Sequence, residues 1–289
     1  MGFDYISSKS IEETVCMLSQ YYGKAKAIAG GTDLLIQIKN KVINPEYVID
    51  ITGIPELEMV TYHEDVGLRI GPLTTIRTLE TSTEIHQRYP IISQAARQLG
   101  SLAIRNVATV GGNLCNALPS AEMAQALLAL SARAKITGPS GERVVHLEDF
   151  FTGVGTTVLK PEELLVEIQV PPPPANTRAR YHKHSTRGSI DLAIVNVAVV
   201  VTLEPGGNVC KDIRIALGAV APTPMRARKA EEAMKGEQIN EALINRAAQL
   251  ASDEAHPRPG SIRGSVEYKK EMVKVFTRRL IKEAMAERD

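Results

Sequence analysis

The sequence is poor in cysteine, and its cysteines are far apart. Only Cys16, Cys115 and Cys210 occur in 289 residues, and no two of them form a C-x-x-C pair. Structural zinc and iron-sulfur clusters need several closely spaced thiolates, and disulfide scaffolds need many more cysteines. His182 and His184 form a close pair on one strand face, but no third ligand is near them in the sequence. We therefore expect no disulfide framework, no metal site and no cluster held by this chain alone.

Long apolar runs and an excess of one charge are also missing. No stretch approaches the roughly 20 apolar residues of a membrane span, and 34 Lys and Arg are balanced by 33 Asp and Glu. A balanced charge recruits neither nucleic acid nor an anionic membrane. The first residues, MGFDYISSKSIEE, are too acidic and polar for a signal peptide. We expect a cytoplasmic protein with no membrane span and no nucleic-acid partner.

The two commonest nucleotide-binding motifs are absent as well. There is no G-x-x-x-x-G-K-[ST] and no G-x-G-x-x-G, since Gly153-Val-Gly155 lacks the third glycine. Of three pairs of adjacent glycines, Gly206-Gly207 lies in the turn at 204–208, and Gly30-Gly31 and Gly111-Gly112 are the candidates for a nucleotide site. A ligand phosphate would therefore be bound by two separate glycine turns.

At 289 residues the chain is long enough for two domains, and its 44% of hydrophobic residues are enough to form a core in each. Pro171 to Pro174 continue neither a helix nor a central strand, so we place the domain boundary there. The first domain covers residues 1–172, in lobes of about 1–55 and 56–172, and the second covers 173–289. Hydrophobic periodicity and turn residues predict helices over 11–22, 33–39, 75–82, 91–99, 121–130, 241–253 and 268–286. They predict strands over 26–29, 47–51, 58–62, 67–70, 133–137, 164–170, 194–203 and 213–220, the last two joined by a turn at 204–208.

The first glycine pair follows the apolar strand at 26–29 and precedes a helix. Adjacent glycines allow positive φ and close approach of a ligand, and successive amides there form an anion site suited to a pyrophosphate. We call residues 28–34 the first glycine loop. The alternative is an ordinary strand-to-helix turn in which Thr32 or Asp33 caps the helix.

The second glycine pair lies in A-T-V-G-G-N at 108–113, which we call the second glycine segment. Its composition predicts phosphate and ribose contacts from exposed amides at Gly111 and Gly112 and from the side chains of Thr109 and Asn113. Glu122 is a candidate acceptor for ribose hydroxyls. The alternative is that Pro119 and Ser120 start a helix and Glu122 lies in its first turn, where negative charge is favoured.

These segments, in this order, resemble the FAD-binding medium subunits of molybdenum hydroxylases, which include carbon monoxide dehydrogenase, 4-hydroxybenzoyl-coenzyme A reductase and bacterial xanthine dehydrogenases. The resemblance covers the whole chain. It extends to P-E-E-L-L-V-E-I at 161–168, the proline break, Y-H-K-H-S-T-R at 181–187 and D-L-A at 191–193. The implied fold is α+β: a two-lobed FAD-binding domain of the PCMH type followed by a smaller α+β C-terminal domain.

The resemblance also implies which residues contact FAD. The pyrophosphate residues of the first glycine loop are Ile28, Ala29, Gly30, Gly31, Thr32, Asp33 and Leu34. The second glycine segment adds Thr109, Gly111, Gly112 and Asn113, and Glu122 is expected near the ribose. Leu164 or Leu165 is expected beside the flavin ring, with Tyr181 over it and Lys183 as an electrostatic tuner. A plain basic surface patch around Lys183 is the alternative.

The family resemblance implies FAD bound without a covalent bond, because Thr32 and Asp33 stand where covalent relatives carry a histidine. It implies a large subunit with the molybdenum cofactor and a small subunit with two [2Fe-2S] clusters, assembled as a dimer of heterotrimers. Electrons would pass through FAD to an acceptor such as NAD or a quinone, with no catalytic side chain on this chain. The alternatives are a self-sufficient FAD oxidoreductase and a non-catalytic assembly module of the same fold.

Overall fold

The computed structural model describes residues 2–188 and 190–286, so positions 1, 189 and 287–289 of the predicted domains lie outside it. The strands are β1 (Asp4–Ser7), β2 (Ala25–Ile28), β3 (Tyr47–Asp50), β4 (Val60–His63), β5 (Gly67–Ile70), β6 (Arg133–Gly138), β7 (Gly141–His146), β8 (Phe151–Gly153), β9 (Thr156–Thr157), β10 (Leu164–Val170), β11 (Thr177–His184), β12 (Val195–Leu203), β13 (Cys210–Gly218) and β14 (Met225–Arg226). The helices are α1 (Ile11–Gln20), α2 (Leu34–Lys39), α3 (Ile76–Thr81), α4 (Thr83–Arg88), α5 (Pro90–Arg97), α6 (Leu102–Arg105), α7 (Val110–Cys115), α8 (Glu122–Ala129), α9 (Leu147–Phe150), α10 (Arg228–Met234), α11 (Glu241–Glu254) and α12 (Val266–Ala286), with a 3-10 turn at Pro55–Leu57.

The first sheet is small and parallel, with strand order β1-β3-β2. Parallel strands need crossover connections, and α1 and α2 follow β1 and β2 in that role. Ser10 accepts a hydrogen bond from the Glu13 amide and so fixes the start of α1. This sheet places the residues after β2 at the carboxyl end of a parallel strand, where α/β units commonly bind ligands.

The second sheet is antiparallel, with strand order β4-β5-β10-β6-β7. Helices α3 to α8 lie between β5 and β6 in the chain and supply most of the apolar side chains that pack on it. Leu164 and Leu165, adjacent residues of β10, point to opposite faces, as strand geometry requires. Leu164 packs in the first-lobe core with α1, and Leu165 packs in the larger core.

The third sheet, β11-β12-β13-β14, is antiparallel and is covered on both faces. Val195, Val197, Val199 and Val201 of β12 pack in one core with α10, α11 and α12, whereas Ala198 and Val200 pack in the larger core that contains α5 and α8. Every residue of β12 is buried. Burial on both faces explains why β12 is apolar at every position except Asn196 and Thr202 rather than alternating.

The predicted α+β class and two-lobed architecture are confirmed, and the major predicted helices and strands are present with ends shifted by one to three residues. Pro171–Pro174 form neither helix nor strand, but the domain boundary placed there stays a prediction. Short elements such as α4, α6, α7 and α10 were not predicted, because they are too short to show a hydrophobic period. None of the helices in residues 2–188 and 190–286 is long and apolar enough to cross a membrane.

Candidate functional site

The first glycine loop connects β2 to α2 with its backbone amides unengaged. Gly31 has a φ of +68°, a value that favours glycine. The amides of residues 30–34 donate to no acceptor in the described part of the chain. Asp33 occupies the N-cap position of α2, but its side chain makes no capping hydrogen bond. The turn therefore joins a strand to a helix as in the alternative but lacks its side-chain cap, and it presents five successive donors suited to an anionic group.

Gly30 brings the two glycine segments into contact. A Cβ atom at Gly30 would lie 1.8 Å from the carbonyl oxygen of Val107, so no larger residue fits. The Gln37 side-chain amide donates to Asn116 Oδ1 at 3.0 Å, which joins α2, after the first glycine loop, to the C-cap of α7. The structure thus brings together segments that are far apart in the sequence.

The second glycine segment is not an open turn, which corrects one expectation. Residues 110–115 form α7, and Thr109 is its N-cap, accepting from the Gly112 amide at 3.1 Å. The Gly111 amide donates to the Pro72 carbonyl at 2.9 Å. The expectation that Gly111 and Gly112 present exposed amides is therefore wrong, because helix capping and packing use both donors. Their assignment as FAD-contacting residues stays a prediction.

Asn113 is also engaged within the chain. Its backbone amide donates to the Thr109 carbonyl at 3.0 Å, as expected inside a helix. Its side-chain oxygen accepts from the Met123 amide at 3.3 Å, in the first turn of α8. Asn113 therefore connects the second glycine segment to the helix that begins with Glu122.

Glu122 and Lys183 form a buried ion pair between α8 and β11. Lys183 Nζ lies 2.7 Å from Glu122 Oε1, with side-chain exposures of 3% and 9%. The ammonium also donates to the Gln98 carbonyl at 3.0 Å. Lys183 is thus not part of a basic surface patch, and Glu122 occupies the first turn of a helix as the alternative reading had it. Glu122, predicted near the ribose, and Lys183, predicted near the flavin, lie side by side.

Burial dominates the electrostatics of this pair. It raises the pKa of the Glu122 carboxyl, while the Lys183 ammonium acts in the opposite direction. Burial also raises the pKa of Tyr181 well above its ordinary value, and the Glu122 charge adds to this effect. The Tyr181 ring packs in the larger core, and its hydroxyl has no hydrogen-bond partner among the described residues. A neutral phenol is therefore held close to the ion pair.

His182 and His184 pack on α12. Their rings lie 4.3 Å and 5.2 Å from the Phe276 ring, centroid to centroid. His184 Nε2 is also 2.8 Å from the Tyr268 hydroxyl. In residues 2–188 and 190–286, no group of three or more His, Cys, Asp or Glu side chains is arranged to hold a metal ion.

Sequence reasoning missed the residues that join the predicted ones. Val107 lies against Gly30, Gln37 connects α2 to the C-cap of α7, and Gln94 and Gln98 connect α5 to β11. All are neutral and carry no motif of their own. The spacing of Gln94 and Gln98 by one helical turn was the only available signal, and many surface helices share it.

Comparison with known proteins identifies the family. Residues 1–173 match the family model for the FAD binding domain in molybdopterin dehydrogenase. Residues 180–284 match the CO dehydrogenase flavoprotein C-terminal domain. The chain belongs to the family of FAD-binding medium subunits of molybdenum hydroxylases. Its resemblance to these oxidoreductase components and its FAD-binding character are thereby confirmed.

Individual relatives extend over nearly the whole chain. The carbon monoxide dehydrogenase medium chain of Afipia carboxidovorans is 33% identical over 286 residues, covering 99% of this chain and 97% of the relative. The xanthine dehydrogenase FAD-binding subunit of Escherichia coli O157:H7 is 33% identical over 264 residues, covering 91% and 89%. Carbon monoxide dehydrogenase from Hydrogenophaga pseudoflava is similar in structure, with a TM-score of 0.94, 34% identity, and coverage of 99% and 98%.

Proposed function

We propose that this chain binds FAD without a covalent bond and relays electrons between iron-sulfur clusters on a partner subunit and an external acceptor. FAD, when bound, supplies the redox chemistry that links one-electron carriers to an acceptor such as NAD or a quinone. The chain contributes binding and electrostatics, and no side chain of it acts as a nucleophile or an obligate base.

The unengaged amides of the first glycine loop carry this proposal. Residues 30–34 offer adjacent N–H donors to an anionic group, and no side chain at Gly30 or Gly31 obstructs them. The FAD pyrophosphate is an anion of suitable chemistry for such a loop. Thr109 caps α7 and Asn113 joins α7 to α8, and their contacts with FAD are part of the proposal.

The Glu122 and Lys183 pair gives the predicted flavin region a defined local charge. A lone ammonium near the pyrimidine edge of the ring would strongly favour the reduced anion. Because Glu122 lies 2.7 Å from Lys183, the field in this region comes from a neutral pair rather than from a single cation. We infer that the Glu122 and Lys183 pair, not Lys183 alone, sets the electrostatic stabilisation of the reduced flavin. Leu164, Leu165 and Tyr181 stay predicted neighbours of the ring.

We propose two partner subunits: a large one with the molybdenum cofactor and a small one with two [2Fe-2S] clusters. The support is the name of the relatives, which are medium chains and FAD-binding subunits of multi-subunit dehydrogenases. We propose a dimer of heterotrimers as the assembly. The cytoplasmic location expected from the sequence stays a prediction.

The visible absorption spectrum of the purified full chain with added FAD tests cofactor binding. We expect about one FAD per chain, released intact by acid and identified by chromatography, as a non-covalent site requires. A folded chain that binds no flavin, even when co-expressed with its partner subunits, would contradict the proposal. The hypothesis of a non-catalytic assembly module would then be left.

The electron relay is tested separately in the co-expressed complex. Removing FAD should stop electron delivery to an external acceptor while cluster reduction continues, and adding FAD should restore delivery. Unchanged delivery by the FAD-depleted complex would show that electrons bypass this chain.

A further inference from the structure

Gln94 in α5 and Gln98 at the C-cap of α5 bind the outer edge of the third sheet. The Gln94 side-chain oxygen accepts from the Tyr181 backbone amide at 3.1 Å, and that of Gln98 accepts from the Lys183 backbone amide at 3.0 Å. Strand β11 lies at the edge of its sheet, so these amides face away from β12. Without the glutamines they would have no strand partner.

The spacing of these contacts follows from the geometry of a helix beside a strand. Gln94 and Gln98 are four residues apart, which corresponds to about 6 Å along a helix and one common face. Tyr181 and Lys183 are two residues apart, which corresponds to about 6.7 Å along a strand and one common edge. These two distances are nearly equal, so the two glutamines on one face of the helix lie opposite the two outward-facing amides of the strand.

Gln98 also contacts the Lys183 side chain. Its backbone carbonyl, at the C-cap of α5, accepts from the ammonium at 3.0 Å. Carbonyls at a helix C-terminus carry partial negative charge, and the carboxylate of Glu122 lies in the positive first turn of α8. The Lys183 ammonium therefore lies between one helix end and a carboxylate, and Gln98 binds both its backbone and its side chain.

We propose that Gln94 and Gln98 are positioning residues, which fix β11 against α5 and so set the Lys183 ammonium beside Glu122. Any slip of β11 along α5 breaks both amide contacts together, because both depend on one register. The consequence for the cofactor rests on the proposed function, whereas the contact itself belongs to the protein alone. The two claims therefore have separate readouts.

Amide hydrogen exchange of the full chain, without FAD, tests the contact. Gln94→Met and Gln98→Met keep side-chain length but remove the acceptor, and losing one such hydrogen bond should speed exchange at Tyr181 and Lys183 about fivefold. Gln94→Glu keeps an acceptor oxygen, so the Tyr181 amide should exchange as slowly as in the wild type. Gln87→Met is the matched control, since exposed Gln87 makes no hydrogen bond to another described residue. Unchanged exchange in β11, or equal acceleration throughout the molecule, would overturn the proposal.

Fluorescence titration and redox titration test the consequence. Gln98→Met should raise the Kd for FAD about tenfold and shift the midpoint potential of the bound flavin, with a smaller effect for Gln94→Met. Gln94→Glu should bind FAD as the wild type does. If Kd and potential stay unchanged while exchange in β11 accelerates, the positioning role is overturned. If the wild type binds no FAD, the proposed function fails and the exchange result alone decides whether the glutamines fix β11.

Discussion

The two glycine pairs look alike in the sequence but differ in the structure. After β2, the amides of residues 30–34 are unengaged, and Gly31 adopts a positive φ. In α7, the amides of Gly111 and Gly112 are hydrogen-bonded to Pro72 and Thr109. The first pair leaves donors for a ligand, whereas the second permits a helix to start in close contact with its neighbours. Adjacent glycines therefore do not by themselves distinguish a ligand loop from a packing site.

The largest expected loss of stability comes from Glu122, which follows α7, and we compare it with the same change at Asp33 in the first glycine loop. Glu122→Gln leaves the buried Lys183 ammonium without its partner, and breaking such a pair typically costs about 3–5 kcal/mol of unfolding free energy. Asp33→Asn, at the exposed N-cap of α2, should change the unfolding free energy by less than about 0.5 kcal/mol. Denaturant unfolding of the FAD-free chain measures both values. Equal effects would break the distinction between a closed and an open region.

The double variant Glu122→Gln with Lys183→Met serves as the control for this experiment. Removing both charges avoids an uncompensated cation, so most of the lost stability should return. A double variant as unstable as Glu122→Gln alone would show that the loss comes from packing rather than from the ion pair.

The next effect separates the two glycines of α7. A Cβ atom at Gly111 would lie 2.5 Å from Pro72 Cβ and 2.8 Å from the Pro72 carbonyl oxygen. Gly111→Ala should therefore cost about 1–3 kcal/mol, as overpacking does. Gly112→Ala meets only Thr109 Oγ1, at 3.1 Å, and should cost less. Denaturant unfolding of the two variants checks the difference, and a costlier Gly112→Ala would contradict the packing account.

A smaller effect is expected from the cap of α7. Thr109→Val removes the acceptor for the Gly112 amide and should cost about 1 kcal/mol, whereas Thr109→Ser keeps the hydroxyl. In the first glycine loop, Thr32→Val should leave the unfolding free energy nearly unchanged, because the Thr32 side chain makes no hydrogen bond to another described residue. Thermal unfolding compares the three variants. A costly Thr32→Val would show that the loop is capped after all.

Cysteine reactivity tests the closed side of the comparison, α7, without changing stability, and Cys16 of α1 is the exposed reference thiol. Burial raises the pKa of Cys115, at the end of α7, to about 12. Its thiolate fraction at pH 8 should therefore be about a thousandfold below that of an ordinary thiol. Mass spectrometry after alkylation should find exposed Cys16 modified and Cys115 intact until the protein unfolds. Rapid alkylation of Cys115 in the native chain would contradict a raised pKa at this half-buried thiol.

Much of the fold could be predicted because its main elements have clear patterns. The 21-residue helix α12 shows helical periodicity, and β12 and β13 flank a glycine-rich turn. The short helix α7 could not be predicted, because Val110-Gly-Gly-Asn113 has low helix propensity and forms a helix only through its Thr109 cap and tertiary packing.

The candidate site was partly predictable for the same reason. Paired glycines after a predicted strand indicate the first glycine loop, and the family resemblance pointed to Glu122 and Lys183. Their direct pairing could not be derived, since it depends on how β11 packs against α5 and α8. Gln94 and Gln98, which control that packing, carry no chemical signature in the sequence.

The most direct test of the account is the affinity of FAD for Gly31→Ala compared with Gly23→Ala. Both glycines have a positive φ, +68° and +74°, so alanine imposes similar backbone strain at each, about 1–2 kcal/mol. Only Gly31 belongs to the first glycine loop. Its new Cβ would lie 3.0 Å from Leu35 Cδ1, whereas that of Gly23 meets open space. We predict a Kd at least about tenfold higher for Gly31→Ala and a wild-type Kd for Gly23→Ala. Equal affinities in the two variants would contradict the assignment of this loop as the FAD pyrophosphate site.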